Sequence, residues 1–122
     1  MDSAKALYVN MTNMKCVEFY KSINGASTVE KFLETMDDKQ ARKVLWVLRL
    51  VRELDMIPLN YFSKLVNTDN IWEVRVHYGG NIFRLLGFFD DAKLILRMVF
   101  RRRHRKHQSN ISNYLNQEIE II

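Results

Sequence analysis

The sequence predicts an α+β fold in which a helical hairpin packs on an antiparallel β-sheet. The chain has 122 residues, of which 48% are hydrophobic and 11% aromatic, and this suits a single domain with one core. Between Ser27 and Leu54 the apolar residues recur with the period of a helix, whereas after Pro58 they alternate with the period of a strand. Helices followed by strands are typical of an α+β domain.

The N-terminal residues 1–13 show no sustained period, so we expect a loosely ordered extension before a single domain over residues 14–122. Met14 is an alternative initiator. The stretch from Cys16 to Tyr20 is β-branched and aromatic, which predicts a strand, and Asn24-Gly25 predicts the turn that follows it.

Two helices are predicted next. Ser27 and Glu30 form a capping box at the start of the first, and Asp37-Asp38 ends it and caps a second helix that runs to about Leu54. The predicted buried positions are Val29, Phe32, Leu33 and Met36 in the first helix and Ala41, Val44, Leu45, Leu48 and Val51 in the second. The break between the helices is short, which predicts an antiparallel hairpin. Trp46 and Trp72 lie on apolar faces, and we expect both in the core.

Three strands and a last helix complete the predicted domain. The strands cover about Ile71 to His77, Ile82 to Phe89 and Lys93 to Phe100, and the helix covers roughly Ser109 to Glu120. Tyr78-Gly79-Gly80-Asn81 and Asp90-Asp91 are the predicted hairpin turns. Turns this tight would place His77 opposite Ile82 and Phe89 opposite Ala92.

This register brings Arg75, Arg84 and Arg97 into one row on the face of the sheet opposite the helices. Like charges opposed across strands cost some tenths of a kcal/mol per pair, roughly, so the row indicates a site for an external anion. Glu73 lies diagonal to Arg84 and could instead pair with it, which would make the row a structural salt-bridge patch. Spacing alone leaves both interpretations open.

The net charge of the chain comes from one run, Arg101-Arg102-Arg103-His104-Arg105-Lys106-His107. The chain has 19 Lys and Arg against 14 Asp and Glu, so without the five basic residues of this run it would be neutral. A focused positive charge favours a polyanionic partner, with nucleic-acid phosphate the leading candidate. The alternative is a solvated basic tail or helix face.

The sequence does not favour a secreted, membrane-spanning, metal-binding or nucleotide-binding protein. Cys16 is the only cysteine, no signal-peptide pattern opens the chain, and the apolar runs are too short to span a membrane, so we expect a soluble cytoplasmic protein. The chain has no Cys/His metal spacing and no glycine-rich phosphate loop. We therefore expect neither a metal site nor a cofactor.

Five fragments, in order, resemble a known family. They are Val17-Glu18-Phe19-Tyr20, Val29-Glu30-Lys31-Phe32-Leu33, Ile71-Trp72-Glu73-Val74-Arg75-Val76, Gly79-Gly80 with Ile82-Phe83-Arg84-Leu85-Leu86, and Phe100 before the basic run. Together they resemble the phage-derived HigB-like branch of the RelE/ParE toxin superfamily. The resemblance extends from about Cys16 to Ile119, and it implies the RelE-like arrangement of a helical hairpin on an antiparallel sheet.

The resemblance also implies a function. RelE-like and HigB-like toxins of type II toxin–antitoxin systems cleave messenger RNA, usually on the translating ribosome, and a cognate antitoxin silences them. The antitoxin is expected to be a small helix-turn-helix protein. The reaction is attack of a ribose 2′-hydroxyl on the adjacent phosphate without a metal, and it needs a proton acceptor, a proton donor and fixed cations.

The resemblance assigns candidate site residues. Arg75 and Arg84 match the strand arginines of the family, and Arg102 and Arg103 match its paired lysines, which implies phosphate binding and charge stabilisation for all four. Arginine in place of lysine keeps the charge but removes any neutral amine that could act as a base. The further candidates for RNA binding are Arg97, Arg101, His104, Arg105 and Lys106.

The proton carrier is the least determined of these roles. Histidine titrates near neutral pH, which makes His107 the first candidate, ahead of His104 and His77, although the family pattern places no histidine at 104 or 107. For each of the three, a solvated surface histidine is the alternative.

Two alternative functions remain from other classes. One is a ParE-like toxin that binds DNA gyrase and lacks nuclease chemistry, and the other is a catalytically inactive RNA-binding or phage accessory protein. The sequence favours the nuclease because it carries both the strand arginines and the basic run, which a protein that only binds another protein would not need together.

Overall fold

The computed structural model describes residues 8–10, 16–103 and 119–121. The helices are α1 (Thr28–Thr35) and α2 (Asp38–Glu53). The strands are β1 (Tyr8–Asn10), β2 (Cys16–Phe19), β3 (Met56–Pro58), β4 (Phe62–Lys64), β5 (Trp72–Tyr78), β6 (Asn81–Asp90), β7 (Lys93–Arg103) and β8 (Ile119–Ile121). The α+β class is therefore confirmed.

The main sheet has the strand order β2-β7-β6-β5-β4, and β8 also pairs with β7. Strands β5, β6 and β7 form an antiparallel meander, as predicted, and β4, which was not predicted, pairs antiparallel with β5. Strand β2 lies parallel to β7. The sheet is thus mixed, and the prediction of a purely antiparallel sheet is wrong at this edge. A parallel pair needs a long crossover connection, and the chain between β2 and β7, which contains both helices, provides one.

Both predicted helix starts are confirmed. Oγ of Ser27 accepts a hydrogen bond from the Glu30 backbone N–H at 3.1 Å, and Oδ1 of Asp37 accepts one from the Gln40 N–H at 2.8 Å. Each cap satisfies a backbone donor that the first helical turn leaves unpaired. Leu54 follows α2 as its C-cap.

The helices cover one face of the main sheet, where the core lies. Its buried residues from the helices are Val29, Phe32, Val44, Val47, Leu48 and Val51, and those from β5, β6 and β7 are Val74, Val76, Phe83, Leu85, Leu94, Leu96 and Val99. Trp72 packs against this core, as predicted, and stacks on Phe62 with ring centroids 5.0 Å apart.

The predicted buried stripe of α2 is wrong at one of its residues, Leu45, and it misses Val47. Leu45 and Trp46 are 51% and 46% exposed, and Val47 takes their place in the core. The Trp46 and Tyr61 rings instead form a T-shaped pair with centroids 6.0 Å apart, and Nζ of Lys43 lies 4.7 Å from the centroid of the Trp46 ring. Trp46 is therefore a surface residue, contrary to its predicted place in the core.

The two ends of the chain contribute strands that the sequence patterns did not indicate. Tyr8–Asn10, within the extension predicted to be loosely ordered, pairs with Met56–Pro58 in a second sheet. Ile119–Ile121 pairs with β7, so the predicted last helix is wrong at Ile119 and Glu120. The rest of that predicted helix, residues 109–118, lies outside the described residues. Within the described ranges, neither helix has the length and apolar character that crossing a membrane requires.

The hairpin between β5 and β6 has the predicted register. Tyr78 faces Asn81 around the Gly79-Gly80 turn, and His77 faces Ile82. Gly79 has a φ of 59°, a left-handed conformation that glycine adopts without steric cost.

The hairpin between β6 and β7 does not have the predicted register. The turn consists of Asp91, with a φ of 55°, and Ala92, so Asp90 faces Lys93 and Phe89 faces Leu94 rather than Ala92. Asp is one of the few residues that tolerate this left-handed conformation, and its place here moves the turn along the chain.

A β-bulge then shifts the register again between Leu86 and Gly87. Gly87 faces Leu96 and Leu86 faces Met98, so Arg97 is an extra residue with no partner on β6. A Cβ at Gly87 would lie 2.1 Å from the carbonyl oxygen of Ile95, so only glycine fits here. The bulge turns Val99 into the core and places Phe100 opposite Arg84.

Candidate functional site

The arginine face is the side of the main sheet opposite the helices, and at its centre Arg75, Arg84 and Phe100 face one another across β5, β6 and β7. The predicted row of Arg75, Arg84 and Arg97 is therefore right for its first two members and wrong for the third. Arg97 occupies the bulge, and its guanidinium carbon lies 4.6 Å from the centroid of the Tyr20 ring. The shifted turn and the bulge together replace Arg97 by Phe100.

Glu73 is buried among these arginines. Its side chain is 1% exposed, although it points away from the core face on which its neighbours Trp72 and Val74 lie. Nη2 of Arg75 donates to Oε1 of Glu73 at 2.7 Å, and Nε of Arg84 donates to Oε2. The pairing of Glu73 with Arg84 is therefore confirmed, and Glu73 is bonded to Arg75 as well.

These contacts explain why two like charges can face each other here. A carboxylate that accepts charged hydrogen bonds on both oxygens compensates for its own burial and for the repulsion between its partners. The bond to Glu73 uses one of the five N–H donors of Arg84, and the Arg84 side chain is 30% exposed. Glu73 thus fixes the orientation of a guanidinium that still has donors for another acceptor.

A cleft of about 180 Å³ opens on the arginine face beside this ion pair. We call it the arginine cleft, and its lining residues are Leu65, Glu73, Arg84, Leu86, Phe100 and Arg102. Arg102 lies two residues beyond Phe100 on β7 and is therefore diagonal to Arg84. Two arginines and one carboxylate in a partly apolar wall give the cleft a net positive charge, which suits an oxyanion such as a phosphodiester.

The described part of the basic run is split between the two faces of the sheet. Arg101, Arg102 and Arg103 belong to β7, which continues beyond its predicted end at Phe100. Side chains alternate along a strand, so Arg102 lies on the arginine face while Arg101 and Arg103 point to the other side, opposite Phe83 and Asn81. The structure therefore brings Arg102 to Arg84 but does not bring Arg103 to the same cleft.

The remaining predicted site residues lie elsewhere. His104, Arg105, Lys106 and His107 are outside the described residues, so their predicted roles stay predictions. His77 is exposed near the turn end of β5 and faces Ile82. Across the described ranges, the structure shows no cluster of three or more His, Cys, Asp or Glu side chains that could hold a metal ion.

Sequence reasoning did not assign a site role to Leu65, Leu86 or Phe100. In the sequence Phe100 stands out only as the residue before the basic run, because its place opposite Arg84 depends on the bulge at Gly87. Leu65 follows the three-residue strand β4, which is too short to show a period. The alternation of Glu73 and Arg75 on one strand face was the available signal for the buried carboxylate.

Comparison with known proteins identifies the family. The model of the phage-derived protein Gp49-like family (DUF891) matches residues 31–110, which is more than half of the chain and includes Glu73, Arg84 and Arg102. The chain belongs to this family. The Gp49-like family is associated with toxin–antitoxin systems and is related to RelE- and HigB-type toxins, and membership suggests a cognate antitoxin as a partner. No curated protein and no solved structure matches the chain at a significant level.

Proposed function

We propose that this Gp49-like protein is the toxin of a type II toxin–antitoxin system, of the HigB-like branch, and that it cleaves messenger RNA on the translating ribosome. In this proposal a ribose 2′-hydroxyl attacks the adjacent phosphate, the bond from phosphorus to the 5′-oxygen breaks, and a 2′,3′-cyclic phosphate forms. The attacking hydroxyl gives up a proton and the leaving oxygen gains one.

The observation that carries the proposal is the meeting of Arg84 and Arg102 in the arginine cleft, with Glu73 holding Arg84 in place. Phosphoryl transfer develops negative charge on the equatorial oxygens, and cations that are already oriented stabilise it without reorganisation. A guanidinium can bind two phosphate oxygens at once, which suits Arg84 and Arg102 to this role.

Other residues act around this pair. Arg75 shares the Glu73 carboxylate with Arg84 and so helps to position it, while Glu73 is a positioning residue rather than a base, because both of its oxygens accept bonds from arginine. His107 remains the first candidate for the proton carrier. Arg101, Arg103, Arg105 and Lys106 add positive charge that attracts the ribosome and its messenger RNA.

The proposed setting follows from the reaction. A toxin that acts on translated messages works in the cytoplasm, and a cognate antitoxin of the helix-turn-helix type silences it until it is needed. No metal and no cofactor takes part in the proposed step.

Induction of the chain in bacterial cells, followed by mapping of RNA ends across translated messages, tests the proposal. We expect growth arrest together with new RNA ends inside coding regions. Growth arrest with intact transcripts would contradict the nuclease and favour a toxin that binds DNA gyrase or another protein. Growth without arrest would instead favour an inactive RNA-binding or accessory protein.

A further inference from the structure

We propose that the apolar wall of the arginine cleft is a stacking subsite for one nucleobase of a single-stranded RNA, with the Phe100 ring as its platform. The inference rests on the proposed function, which brings an RNA phosphate to Arg84. It adds a base-binding role for three residues, Phe100, Leu86 and Leu65, to which no site role has so far been assigned.

The position of Phe100 carries the first step. Phe100 lies directly opposite Arg84 across the β6–β7 pair, and Arg102 follows it two residues along the same strand face. A ring in this place has a guanidinium beside it and another farther along the strand. A nucleotide whose phosphate is held by Arg84 or Arg102 would therefore have its base next to the Phe100 ring.

The surroundings of Phe100 carry the second step. It is half-buried and does not belong to the core cluster of the described residues. Phe32, Phe62, Phe83 and Phe89 pair with other aromatic rings, whereas within the same described part of the chain Phe100 enters no such pair. Phe100 thus contributes to a cleft wall, and not to the aromatic packing that holds the domain together.

The size and chemistry of the cleft carry the third step. A volume of about 180 Å³ is smaller than that of ordinary small-molecule pockets and suits one ring system. Leu65, Leu86 and Phe100 provide apolar contact, and Arg84 and Arg102 provide the charge. Single-stranded RNA is recognised in this way, by an aromatic face for a splayed base next to cations for its backbone.

The test compares two labelled oligonucleotides of equal charge by fluorescence anisotropy with the full chain. One is a short single-stranded RNA with 2′-O-methyl groups that block the attacking hydroxyls, and the other is the same strand without bases. We expect the intact strand to bind about 5-fold to 150-fold more tightly than the abasic strand. Phe100→Ala should remove most of that difference while leaving the affinity for the abasic strand unchanged.

Two further variants make the result specific. Phe88→Ala removes a half-buried phenylalanine of β6 that lies on the arginine face outside the cleft, and it should keep the preference for bases. Phe100→Leu keeps the apolar bulk without the aromatic face, so it carries the test if Phe100→Ala does not fold, and it should lower the preference. Thermal unfolding of each variant establishes that it is folded.

Equal binding of the two strands by the unmodified chain, no binding of the intact strand, or an unchanged preference in both Phe100 variants would overturn the subsite. Because the strands cannot be cleaved, these outcomes are independent of nuclease activity. Cleavage of messages without a preference for the intact strand would refute the subsite and leave the proposed function standing. A preference for the intact strand without cleavage of messages would refute the proposed function and leave the subsite standing.

Discussion

Replacement of Glu73 by glutamine tests whether the buried carboxylate holds the arginine face together. The substitution keeps the shape of the side chain but removes its charge, and it turns one of its two acceptor oxygens into an N–H₂ group that faces a guanidinium. Arg75 and Arg84, which lie opposite each other on β5 and β6, then repel without a compensating carboxylate.

The magnitude follows from the burial of the three groups. Removing one member of a fully buried ion pair costs about 3–5 kcal/mol. Here Glu73 is 1% exposed but the side chains of Arg75 and Arg84 are 37% and 30% exposed, so water recovers part of the loss. We therefore expect Glu73→Gln to lower the free energy of unfolding by about 2 kcal/mol, or the Tm by roughly 5–10 °C.

The chain contains a matched control for this measurement. Glu53 also bridges two arginines, with bonds of 3.2 Å from Arg49 and 2.9 Å from Arg52, but its group lies at the exposed end of α2. Exposed pairs of this kind contribute little because water and salt screen them. Urea unfolding of Glu73→Gln and Glu53→Gln should show a large loss for the first variant and a small one for the second. Equal losses would refute the account of the buried carboxylate.

Three further predictions follow from the structure. Gly87→Ala should destabilise the chain by about 3 kcal/mol or more, because its Cβ would meet the backbone of Ile95 and Leu96. The control Gly80→Ala, whose Cβ would have no atom within 4 Å, should change the free energy of unfolding by no more than about 0.5 kcal/mol. Similar urea midpoints for the two variants would contradict the bulge. Arg102→Ala should lower message cleavage in a reconstituted translation reaction by roughly 100-fold and Arg103→Ala by less than about tenfold, because of these two residues only Arg102 lines the arginine cleft. A larger loss with Arg103→Ala than with Arg102→Ala would refute that placement. Partial burial, with a hydrogen bond to Glu18 and the charge of Glu18, raises the pKa of the Cys16 thiol above its ordinary value. Iodoacetamide should therefore modify the folded chain more slowly than the urea-unfolded chain at pH 8 and reach a comparable rate only at higher pH, and equal rates at pH 8 would contradict this.

Local signals made the helices and the first hairpin predictable from sequence. The caps at Ser27 and Asp37 are side-chain contacts between residues three apart, and the Gly79-Gly80 turn fixes the register of β5 and β6 over a few residues. The opposition of Arg75 and Arg84 followed directly from that turn. The same register places Glu73 diagonal to Arg84 and so allows their pairing, but it does not indicate the second bond to Arg75.

The second hairpin was not predictable by the same means. Its register depends on two features. The left-handed conformation of Asp91 changes which residues of β6 and β7 face each other, and the bulge, whose only sequence mark is Gly87, moves every later residue of β7 to the other face of the sheet. Arg97 and Arg103 therefore left the predicted site while Phe100 entered it. The parallel pairing of β2 with β7 is a long-range contact that local periodicity cannot indicate.

The most direct test of the central claim is cleavage of a defined messenger RNA in a reconstituted translation reaction by the unmodified chain, Arg84→Ala, Arg84→Lys and Arg49→Ala. Arg49 is an exposed arginine of α2 outside the cleft, and thermal unfolding establishes that each variant is folded. The account predicts ribosome-dependent cleavage by the unmodified chain and by Arg49→Ala. Cleavage should fall strongly with Arg84→Lys and be absent with Arg84→Ala. An intact message with the unmodified chain, or undiminished cleavage by Arg84→Ala, would contradict it.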